Sequence, residues 1–363
     1  MARRIPGRLA LVLFCASAYA QQADLTAPQR TAVDRITPAS LRANLTVLAS
    51  DDMEGRSTPS VGLDKAADYI AAQFKAAGLE PINNSYFQTA NISDLGARGQ
   101  QILRGLPEGS PTTARNVAGL LRGSDPNLRS TYIIVSAHYD HVGIGGNADD
   151  KIFNGANDDG SGVVSVIELA KSLAALNPRP KRSILFMTFF GEERGLLGSR
   201  YYGEHPLVPP AATIAQINLE QLGRTDASNG PQIQSANLTG FDFSDLPKTL
   251  SDAATALGVR IWKDMPASDA YFGRSDNQAL ADLGIPAHTL SVAYGYPDYH
   301  KVSDTADKID YDNMATVDRA IALGLLRLAS DATPPKWNEA YAPASKYVEA
   351  ARKLRTASVQ LGN

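Results

Sequence analysis

The stretch Tyr132-Ile-Ile-Val-Ser-Ala-His138 decides the fold class, because it is short, apolar and rich in β-branched residues. A run of this kind predicts a strand that is buried on both faces of a sheet. Similar runs recur later in the chain, at residues 183–190, 213–219 and 285–292. Apolar residues at three- and four-residue steps predict helices at residues 162–176, from 196 to 202, and over about 313–329. The alternation predicts an α/β fold with a mostly parallel sheet covered on both faces.

The segments that flank this core have weaker patterns. Residues 38–50 and 61–78 show helical periodicity, and Gly78 is typical of a helix end. Residues 91–115 are rich in Gly, Pro and Ser, which predicts an irregular connection. Pro334-Pro335 closes a domain that we assign to residues 21–335, and residues 336–363 are predicted to form a C-terminal helical tail.

The first twenty residues have the three parts of a secretory signal peptide. Three arginines precede the apolar residues 9–18, and Ala18-Tyr19-Ala20 is a small-residue cleavage site. The apolar part is shorter than the ~20 residues that span a bilayer. We therefore expect a secreted or periplasmic protein that begins near Gln21 and is not held in a membrane after the signal is removed.

The composition excludes several classes of function. The chain has 35 Lys+Arg and 38 Asp+Glu, a net charge of −3, and loss of residues 1–20 with their three arginines makes it −6. A chain without a basic excess is not expected to have nucleic acid as its main partner. Its one cysteine, Cys15, lies in the signal segment, so the mature chain has no disulfide, no Cys-ligated metal and no Cys nucleophile.

Acidic residues and histidines follow the predicted strands where each strand ends. They are His138 and Asp140 after the first strand, Asp158 before the first helix, Glu192 and Glu193 after the second strand, Glu220 after the third, and His300 after the fourth. Open α/β sheets build their sites beyond the carboxyl ends of the strands, so we expect these side chains to converge on one place.

Such a set of side chains favours two divalent cations. Three carboxylates (Asp158, Glu193 and Glu220) and two neutral imidazoles carry −3 against +4, and a bridging hydroxide would make the cluster neutral. Asp158 is the natural bridging ligand, because its loop can present both carboxylate oxygens. Nitrogen and oxygen ligands favour zinc, with cobalt or manganese as alternatives. Asp140 can orient His138 through the second ring nitrogen.

The motifs around these residues carry a resemblance to a known family. They are Ala137-His-Tyr-Asp-His-Val-Gly143, Asn154-Gly-Ala-Asn-Asp-Asp-Gly-Ser-Gly162, Phe190-Gly-Glu-Glu-Arg-Gly-Leu-Leu-Gly-Ser199, Asn218-Leu-Glu-Gln-Leu-Gly-Arg224, Arg274-Ser-Asp276 with Gly284-Ile-Pro286, and Tyr299-His-Lys-Val-Ser-Asp304. In this order they resemble the metallopeptidases of family M28, the dizinc aminopeptidases and their relatives. The similarity runs from about residue 38 to 330. Glu54-Gly55-Arg56 also recurs in the family, with no role that we can assign from the sequence.

The resemblance implies a fold and a role for each site residue. It implies a three-layer αβα sandwich around a mixed, mostly parallel sheet. It implies one metal ion held by His138, Asp158 and Glu220, and a second held by Asp158, Glu193 and His300. Glu192 takes the position of the general base, which accepts a proton from the bridging water and passes it to the leaving amine, and Asp140 that of the orienting acid.

This chain departs from the family pattern at two positions. Position 220 is Glu where many relatives have Asp, and the longer side chain is expected to ligate but could change the metal preference. Asn277 stands where some relatives have His, which leaves the contacts to substrate open. Residues 91–115 are too few for the protease-associated domain that some relatives insert, so we expect a single catalytic domain.

Other residues near the motifs have simpler interpretations. His288 lies within an apolar strand and is expected to be a core histidine. His141 competes with His138, but its three-residue offset places it on the other face or in the loop. Asp159 fits a helix N-terminal acid better than a second bridge. Tyr294, Tyr296 and Tyr299 are either pocket wall or hydrogen-bond donors to an oxyanion, and the sequence does not separate these roles.

The leading hypothesis for function is a secreted aminopeptidase that acts on peptide substrates. A carboxypeptidase or dipeptidase of the same fold would need a cation for the substrate carboxylate, for which Arg194, Arg224 and Arg274 are candidates. Glutaminyl cyclase shares the fold, but the complete set of ligands for two metal ions favours hydrolysis. A non-catalytic binding ectodomain is the alternative from another class, and the presence of every ligand and the base argues against it.

Overall fold

A mixed β-sheet forms the centre of the computed structural model, which describes residues 25–146, 149–265 and 267–361. The predicted signal segment, residues 1–20, lies outside the described residues. The strands are β1 (Phe87–Asn91), β2 (Thr113–Leu121), β3 (Tyr132–His138), β4 (Gly143–Ile144), β5 (Ile152–Phe153), β6 (Ser183–Phe189), β7 (Thr213–Glu220), β8 (Ser235–Leu238), β9 (Arg260–Trp262) and β10 (Ala287–Ser291). Within the described ranges, eight of them form the sheet in the order β1-β2-β6-β3-β7-β10-β8-β9, and β4 pairs with β5 alone.

The four strands predicted from the sequence are the four central strands of this sheet. β6, β3, β7 and β10 are neighbours and run parallel to one another. The strands beside them, β2 and β8, run antiparallel to β6 and β10. The predicted mixed, mostly parallel sheet is therefore confirmed at its centre, and the four carboxyl ends lie along one edge.

Helices cover both faces of the sheet. They are α1 (Ala27–Arg35), α2 (Pro38–Leu48), α3 (Val61–Ala76), α4 (Gly96–Gly105), α5 (Gly162–Ala174), α6 (Leu197–Glu204), α7 (Leu246–Ala254), α8 (Ser268–Tyr271), α9 (Asn277–Asp282), α10 (Tyr311–Ser330) and α11 (Ser345–Leu361). The first three begin at hydroxyl caps, where the side chains of Thr26, Thr37 and Ser60 accept backbone N–H bonds from the first turn. Such caps satisfy amides that the helix itself cannot bond.

Successive residues of β3 point into two separate apolar cores. Ile133 and Val135 pack in one core with residues of α3, α5 and α10, whereas Ile134 packs in the other with residues of α6, α9 and α11. This alternation is the two-residue period of a strand that is covered on both sides. The three-layer αβα sandwich that the resemblance implied is confirmed.

The C-terminal helix belongs to the second core. Tyr347 and Val348 of α11 are buried there, and Trp337 stacks on Tyr347 with ring centroids 4.9 Å apart. Trp337 Nε1 also donates a hydrogen bond of 2.8 Å to the carbonyl of Gly284, just before β10. The segment after Pro335 therefore supplies part of one layer of the sandwich, together with α6 and α9.

The irregular connection predicted for residues 91–115 is wrong in part. The structure forms α4 inside this segment, and β2 begins at Thr113. Ile102 and Leu103 of α4 pack against the first core, which stabilises a helix that its glycines disfavour. β2 was not predicted, because Ala, Gly and Leu make up most of its sequence. β1, β8 and β9 were not predicted either, because they are too short for a clear pattern. Among the described residues, no helix is both long and apolar enough to cross a membrane.

His288 is a core histidine, as predicted, and it should make the fold sensitive to acid. It is 0% exposed, and because the carbonyl of Thr239 can only accept, Nδ1 donates to it at 2.8 Å while Nε2 accepts from the Ser244 hydroxyl at 2.7 Å. Burial lowers the pKa of His288 from 6.5 to about 4. The unfolded chain therefore takes up this proton first, and stability falls as the pH drops from 6.5 to about 4, by about 3 kcal/mol.

Urea unfolding of the wild type and of His288→Asn at several pH values in this window measures that slope. The variant should be less stable at neutral pH and should lose less stability on acidification. Metal binding depends on pH in both proteins, so the difference between the two slopes isolates His288. Equal slopes would show that its titration is not linked to folding.

Candidate metal centre

The carboxyl edge of the sheet brings the predicted site residues together. His138 ends β3, Glu220 ends β7, and Glu192 and Glu193 follow β6 within four residues. His138, Asp158, Glu192 and Glu220 line one pocket of about 230 Å³. His300, in the loop after β10, reaches the same point, because its Nε2 lies 3.0 Å from Asp158 Oδ2 and 2.9 Å from Glu193 Oε1. The prediction of one converging site at the strand ends agrees with this arrangement.

Four side chains surround one point on the side of His300. They are His141, Asp158, Glu193 and His300, and one ligand atom from each lies within 4.8 Å of the others. His141 Nδ1 is 3.1 Å from Glu193 Oε1 and 3.7 Å from Asp158 Oδ2. Two imidazoles and two carboxylates at these distances form a ligand set that suits a tetrahedral zinc ion.

A second group of ligands lies on the other side of Asp158. His138 Nε2 is 3.4 Å from Asp158 Oδ1, so the two oxygens of this carboxylate face different histidines. Glu220 lies in the same pocket, and its Oε1 accepts a hydrogen bond from Ser275 Oγ. His138 Nδ1 faces Asp140, at 3.2 Å from its carbonyl and 3.6 Å from Oδ1. Asp158 is therefore placed between two possible cation positions.

The contacts within the cluster suit a bound cation. Asp158 Oδ2 and His300 Nε2 face each other, yet neither has a hydrogen-bond partner among the described residues. A buried carboxylate oxygen and an imidazole nitrogen without partners cost stability unless a cation lies between them. The carboxylates of Asp158 and Glu193 raise the pKa of His300 to about 10. A proton therefore competes with a metal ion for this nitrogen, as expected for a metal ligand.

Burial and neighbouring charges shift the pKa values of the acids in this pocket. Burial raises the pKa of Glu192 well above its usual range, although His138 opposes this shift, and Glu220 and Asp276 raise it further. Burial also raises the pKa of Glu220, to about 7. The pKa of Asp158 is lowered instead, because its interactions with His138 and His300 outweigh the effect of burial. Neighbouring carboxylates whose pKa values are shifted in opposite directions are typical of catalytic and metal sites.

The loop that carries Asp158 is held by an acid from the last predicted motif. The carboxylate of Asp304 accepts backbone N–H bonds of 3.1 Å from Asn157 and from Asp158. It also accepts a bond of 2.9 Å from the hydroxyl of Tyr296, which is therefore neither free nor part of the pocket wall. This contact ties the loop before α5 to the loop that carries His300.

Asp159 has the helix-terminal role predicted for it. Its Oδ1 accepts N–H bonds of 3.0 Å from Gly162, at the start of α5, and from Gln221. The second bond holds the residue that follows Glu220. Asp159 thus holds the start of α5 and the segment after Glu220 in place, and it is not one of the four clustered ligand residues.

Arg56, which the sequence left without a role, lies fully buried under the same loop. Its guanidinium donates to the carbonyls of Leu48, Tyr139, Asn154 and Gly155 at 2.6 to 2.8 Å. These bonds join the segment after β3 to the loop before Asp158. Gly55 beside it has φ +64°, and a Cβ there would meet the backbone of Gly143 and Phe153. The Glu54-Gly55-Arg56 motif therefore places a cation beneath the acidic centre.

Of the three arginines considered as substrate contacts, one lines the metal pocket. Arg224 is bound by Asp226 and Asp298 at 2.6 to 2.8 Å, and Arg194 lies in a separate pocket beside Ser57. Arg274 lines the metal pocket, with its guanidinium 4.8 Å from the Tyr271 ring centre.

Two of the three tyrosines near His300 also line the metal pocket. Tyr299 stacks on the His300 ring with centroids 4.0 Å apart, and the buried hydroxyl of Tyr294 has no hydrogen-bond partner among the residues that the structure describes. Asn277 instead bonds to Phe272 and Thr289 inside the fold.

His141 is the residue that sequence reasoning set aside. Strand alternation placed it away from His138, but the regular strand ends at His138 and the chain turns. The amide of Tyr139 still bonds to Phe189 of β6, whereas the amide of His141 bonds to the carbonyl of Arg56 at 3.1 Å. That long-range contact, which has no local signal, turns the imidazole toward Glu193.

Comparison with known proteins agrees with this fold and site. The sequence is similar to leupeptin-inactivating enzyme 1 of Streptomyces exfoliatus (26% identity over 85% of this chain and 61% of that protein). It is also similar to a probable leucine aminopeptidase 2 of Aspergillus oryzae (26% identity over 62% of this chain and 47% of that protein). The chain thus spans about half to three fifths of the length of these relatives.

A solved structure and a family profile extend the comparison. An aminopeptidase from Aneurinibacillus sp. strain AM-1 has the same fold, with a TM-score of 0.62 and 18% identity over 86% of this chain and 97% of that one. The sequence profile of Peptidase family M28 matches residues 116–324, which are more than half of the chain and include every predicted metal ligand. The chain belongs to peptidase family M28.

Proposed function

We propose that the protein is a secreted aminopeptidase, a dinuclear-metal exopeptidase that hydrolyses the N-terminal bond of peptides. The observation that carries this proposal is the carboxylate of Asp158, whose two oxygens face His138 on one side and His300 on the other. A carboxylate shared in this way suits two metal ions in one pocket. Family membership supports a peptidase, and the aminopeptidase name of one relative supports the direction of attack.

The proposed ligands follow from the two groups around Asp158. His138, Asp158 and Glu220 hold one ion, and Asp158, Glu193 and His300 hold the other, with His141 as a further ligand of the second ion. Neutral imidazoles and carboxylates favour zinc, and cobalt or manganese can replace it. When bound, such ions polarise the scissile carbonyl and lower the pKa of a bridging water.

The side chains around the ligands perform the proton transfer and the positioning. Glu192 lines the pocket and belongs to neither proposed set of ligands, so its carboxylate is available to accept a proton from water and deliver it to the leaving amine. Its backbone N–H donates to Asp140 Oδ1 at 3.0 Å, so Asp140 positions both the base and His138. The carboxylates in the pocket attract the ammonium group of a substrate N-terminus.

A substrate panel tests this function. Leucyl-p-nitroanilide should be cleaved and its N-acetylated form should not, and a strong chelator should abolish turnover that zinc, cobalt or manganese restores. The position of Arg274 favours a second candidate, a carboxypeptidase or dipeptidase. Of the three arginines considered, Arg274 is the one that lines the metal pocket, where it could bind a substrate carboxylate. Release of C-terminal residues from N-blocked peptides would establish that candidate and overturn the aminopeptidase.

His141→Asn should weaken metal binding if His141 is a ligand. Loss of one imidazole from the Glu193 and His300 side should reduce zinc affinity at that position by at least ~10- to 100-fold, since even the supporting residues of metal ligands have effects of this size. Metal analysis after dialysis and titration against a competing chelator measure the change. His205→Asn, at an exposed helix end, is the matched control. Unchanged affinity in His141→Asn would make this residue structural.

A further inference from the structure

A second cavity adjoins the metal pocket. It has a volume of about 300 Å³, and Tyr271 and Tyr294 line both spaces. The rings of these tyrosines meet edge to face, with centroids 5.3 Å apart and an angle of 80°. A volume of this size is at the lower end for ligand pockets, ~300–1,000 Å³, so it suits one side chain rather than a whole peptide.

A buried carboxylate in this cavity has no cation as a partner. Asp264 is 4% exposed, and Asn229 Nδ2 donates to its Oδ2 at 2.7 Å. Within the described part of the chain, no ion pair to Asp264 is present. The neighbouring Lys263 instead binds Asp242 at 2.6 Å. Buried aspartates are rarely left unpaired, because a charge removed from water without a counter-charge is costly.

Two further groups in the cavity also lack partners. Asn237 is 2% exposed and its Oδ1 accepts no hydrogen bond from the described residues. The Tyr294 hydroxyl, on the wall shared with the metal pocket, has none either. Burial raises the pKa of this phenol well above its usual range, and the carboxylates of Glu220 and Asp264 raise it further, so the hydroxyl lies near both acids and stays protonated. The cavity thus offers a carboxylate and an amide oxygen as acceptors to a donor-rich ligand.

We propose that this cavity is the specificity pocket of the enzyme and accepts a basic side chain, from lysine or arginine, at the N-terminus of the substrate. The ammonium or guanidinium group pairs with Asp264 and Asn237, while the α-amino group and the scissile bond lie in the metal pocket beyond the two tyrosines. This inference rests on the proposed aminopeptidase function.

The exposed cation Arg274 lies on the other side of the tyrosine wall. Arg274 lines the metal pocket but not the second cavity, and its guanidinium covers the ring of Tyr271. It forms no ion pair with Asp264. The charged side chain of the second cavity is therefore Asp264, which is buried, whereas the cation Arg274 is exposed and lies on the metal-pocket side.

Lysyl- and norleucyl-p-nitroanilide test the proposal, because the norleucine side chain lacks the ammonium group. We expect the wild-type enzyme to have a higher kcat/KM for the lysyl substrate. Asp264→Asn should lower the ratio of the two kcat/KM values by at least ~10-fold, as expected when a buried charge pair loses one member. Asp242→Asn removes the same charge from the neighbouring Lys263 pair, and it should leave the ratio unchanged.

The outcomes separate this inference from the proposed function. Equal wild-type rates for both substrates, or a preference for glutamyl-p-nitroanilide that would indicate Arg274, overturn the basic pocket and leave the aminopeptidase standing. If no aminoacyl substrate is cleaved, the proposed function fails. The binding of lysine hydroxamate and norleucine hydroxamate to the metal-loaded wild type, measured by calorimetry, then decides the pocket: tighter binding of the lysine compound supports it, and equal binding overturns it. Neither wild-type comparison depends on whether Asp264→Asn folds.

Discussion

Glu192→Gln should lower kcat by at least ~10²-fold, because general-base catalysis typically contributes 10²–10⁴-fold and an amide cannot accept the proton. The backbone N–H of residue 192 still donates to Asp140, and the amide has the shape of the carboxylate it replaces. Since Glu192 belongs to neither proposed set of metal ligands, metal content and melting temperature should remain those of the wild type. Turnover, metal analysis and thermal unfolding measure the three quantities on one sample.

Glu193→Gln is the matched control, because it makes the same chemical change one residue away. Glu193 Oε1 lies 2.9 Å from His300 and 3.1 Å from His141, so loss of its charge removes a ligand that two imidazoles face. This variant should lose metal, and with it thermal stability. Loss of metal in Glu192→Gln together with its retention in Glu193→Gln would reverse the two roles. Full activity in Glu192→Gln would end the hydrolytic mechanism proposed here.

Arg56→Met should have the largest effect on stability of the changes considered. The methionine leaves four carbonyls without the donors that now reach them at 2.6 to 2.8 Å, and it removes the cation below the acidic loop. Breaking a buried charged network of this kind typically costs 3–5 kcal/mol of unfolding free energy. Because Asn154 and Gly155 begin the loop that carries Asp158, metal affinity of the folded protein should fall as well.

Arg182→Met separates the two consequences of losing a buried arginine. Arg182 is also buried and donates to Thr131, Asp331 and Ala332, but it precedes β6 at the opposite end of the strand from Glu192. It should lower the melting temperature without changing zinc affinity in a chelator competition. If Arg56→Met also keeps the wild-type zinc affinity, Arg56 stabilises the fold without positioning the metal loop.

The central strands, and the clustering of the polar residues that follow them, could be predicted from the sequence for one physical reason. Strands buried on both faces, such as β3 and β6, need continuous apolar runs, and such runs are visible without any knowledge of their partners. Their carboxyl ends meet at one edge, so the polar residues that follow each run, such as His138 and Glu193, converge in space as well. The edge strands β1 and β9 have no such requirement, and nothing in their composition indicated them.

Residues that act through distant contacts could not be placed in the same way. Arg56 reaches carbonyls up to 99 positions away, and the orientation of His141 depends on a backbone bond to that same segment. Asp264 is far in sequence from the predicted ligands, and only the fold shows that it lies beside Tyr294. Local periodicity and motif spacing do not indicate which distant residues contact one another, so the positions of these side chains could be found only from the structure.

The position of α11 has a consequence for the order in which the molecule is made. This helix, with Trp337, covers a face of the sheet whose strands all come earlier in the chain. While a ribosome is still adding residues 336–351, Phe272 packs on Phe243 but lacks its contacts with Trp337 and Tyr347, so this core is covered only in part. A nascent chain in this condition cannot finish folding and offers binding surface to chaperones. Completion of the αβα sandwich therefore waits for the last helix, so the chain reaches its native packing only when its synthesis is almost finished.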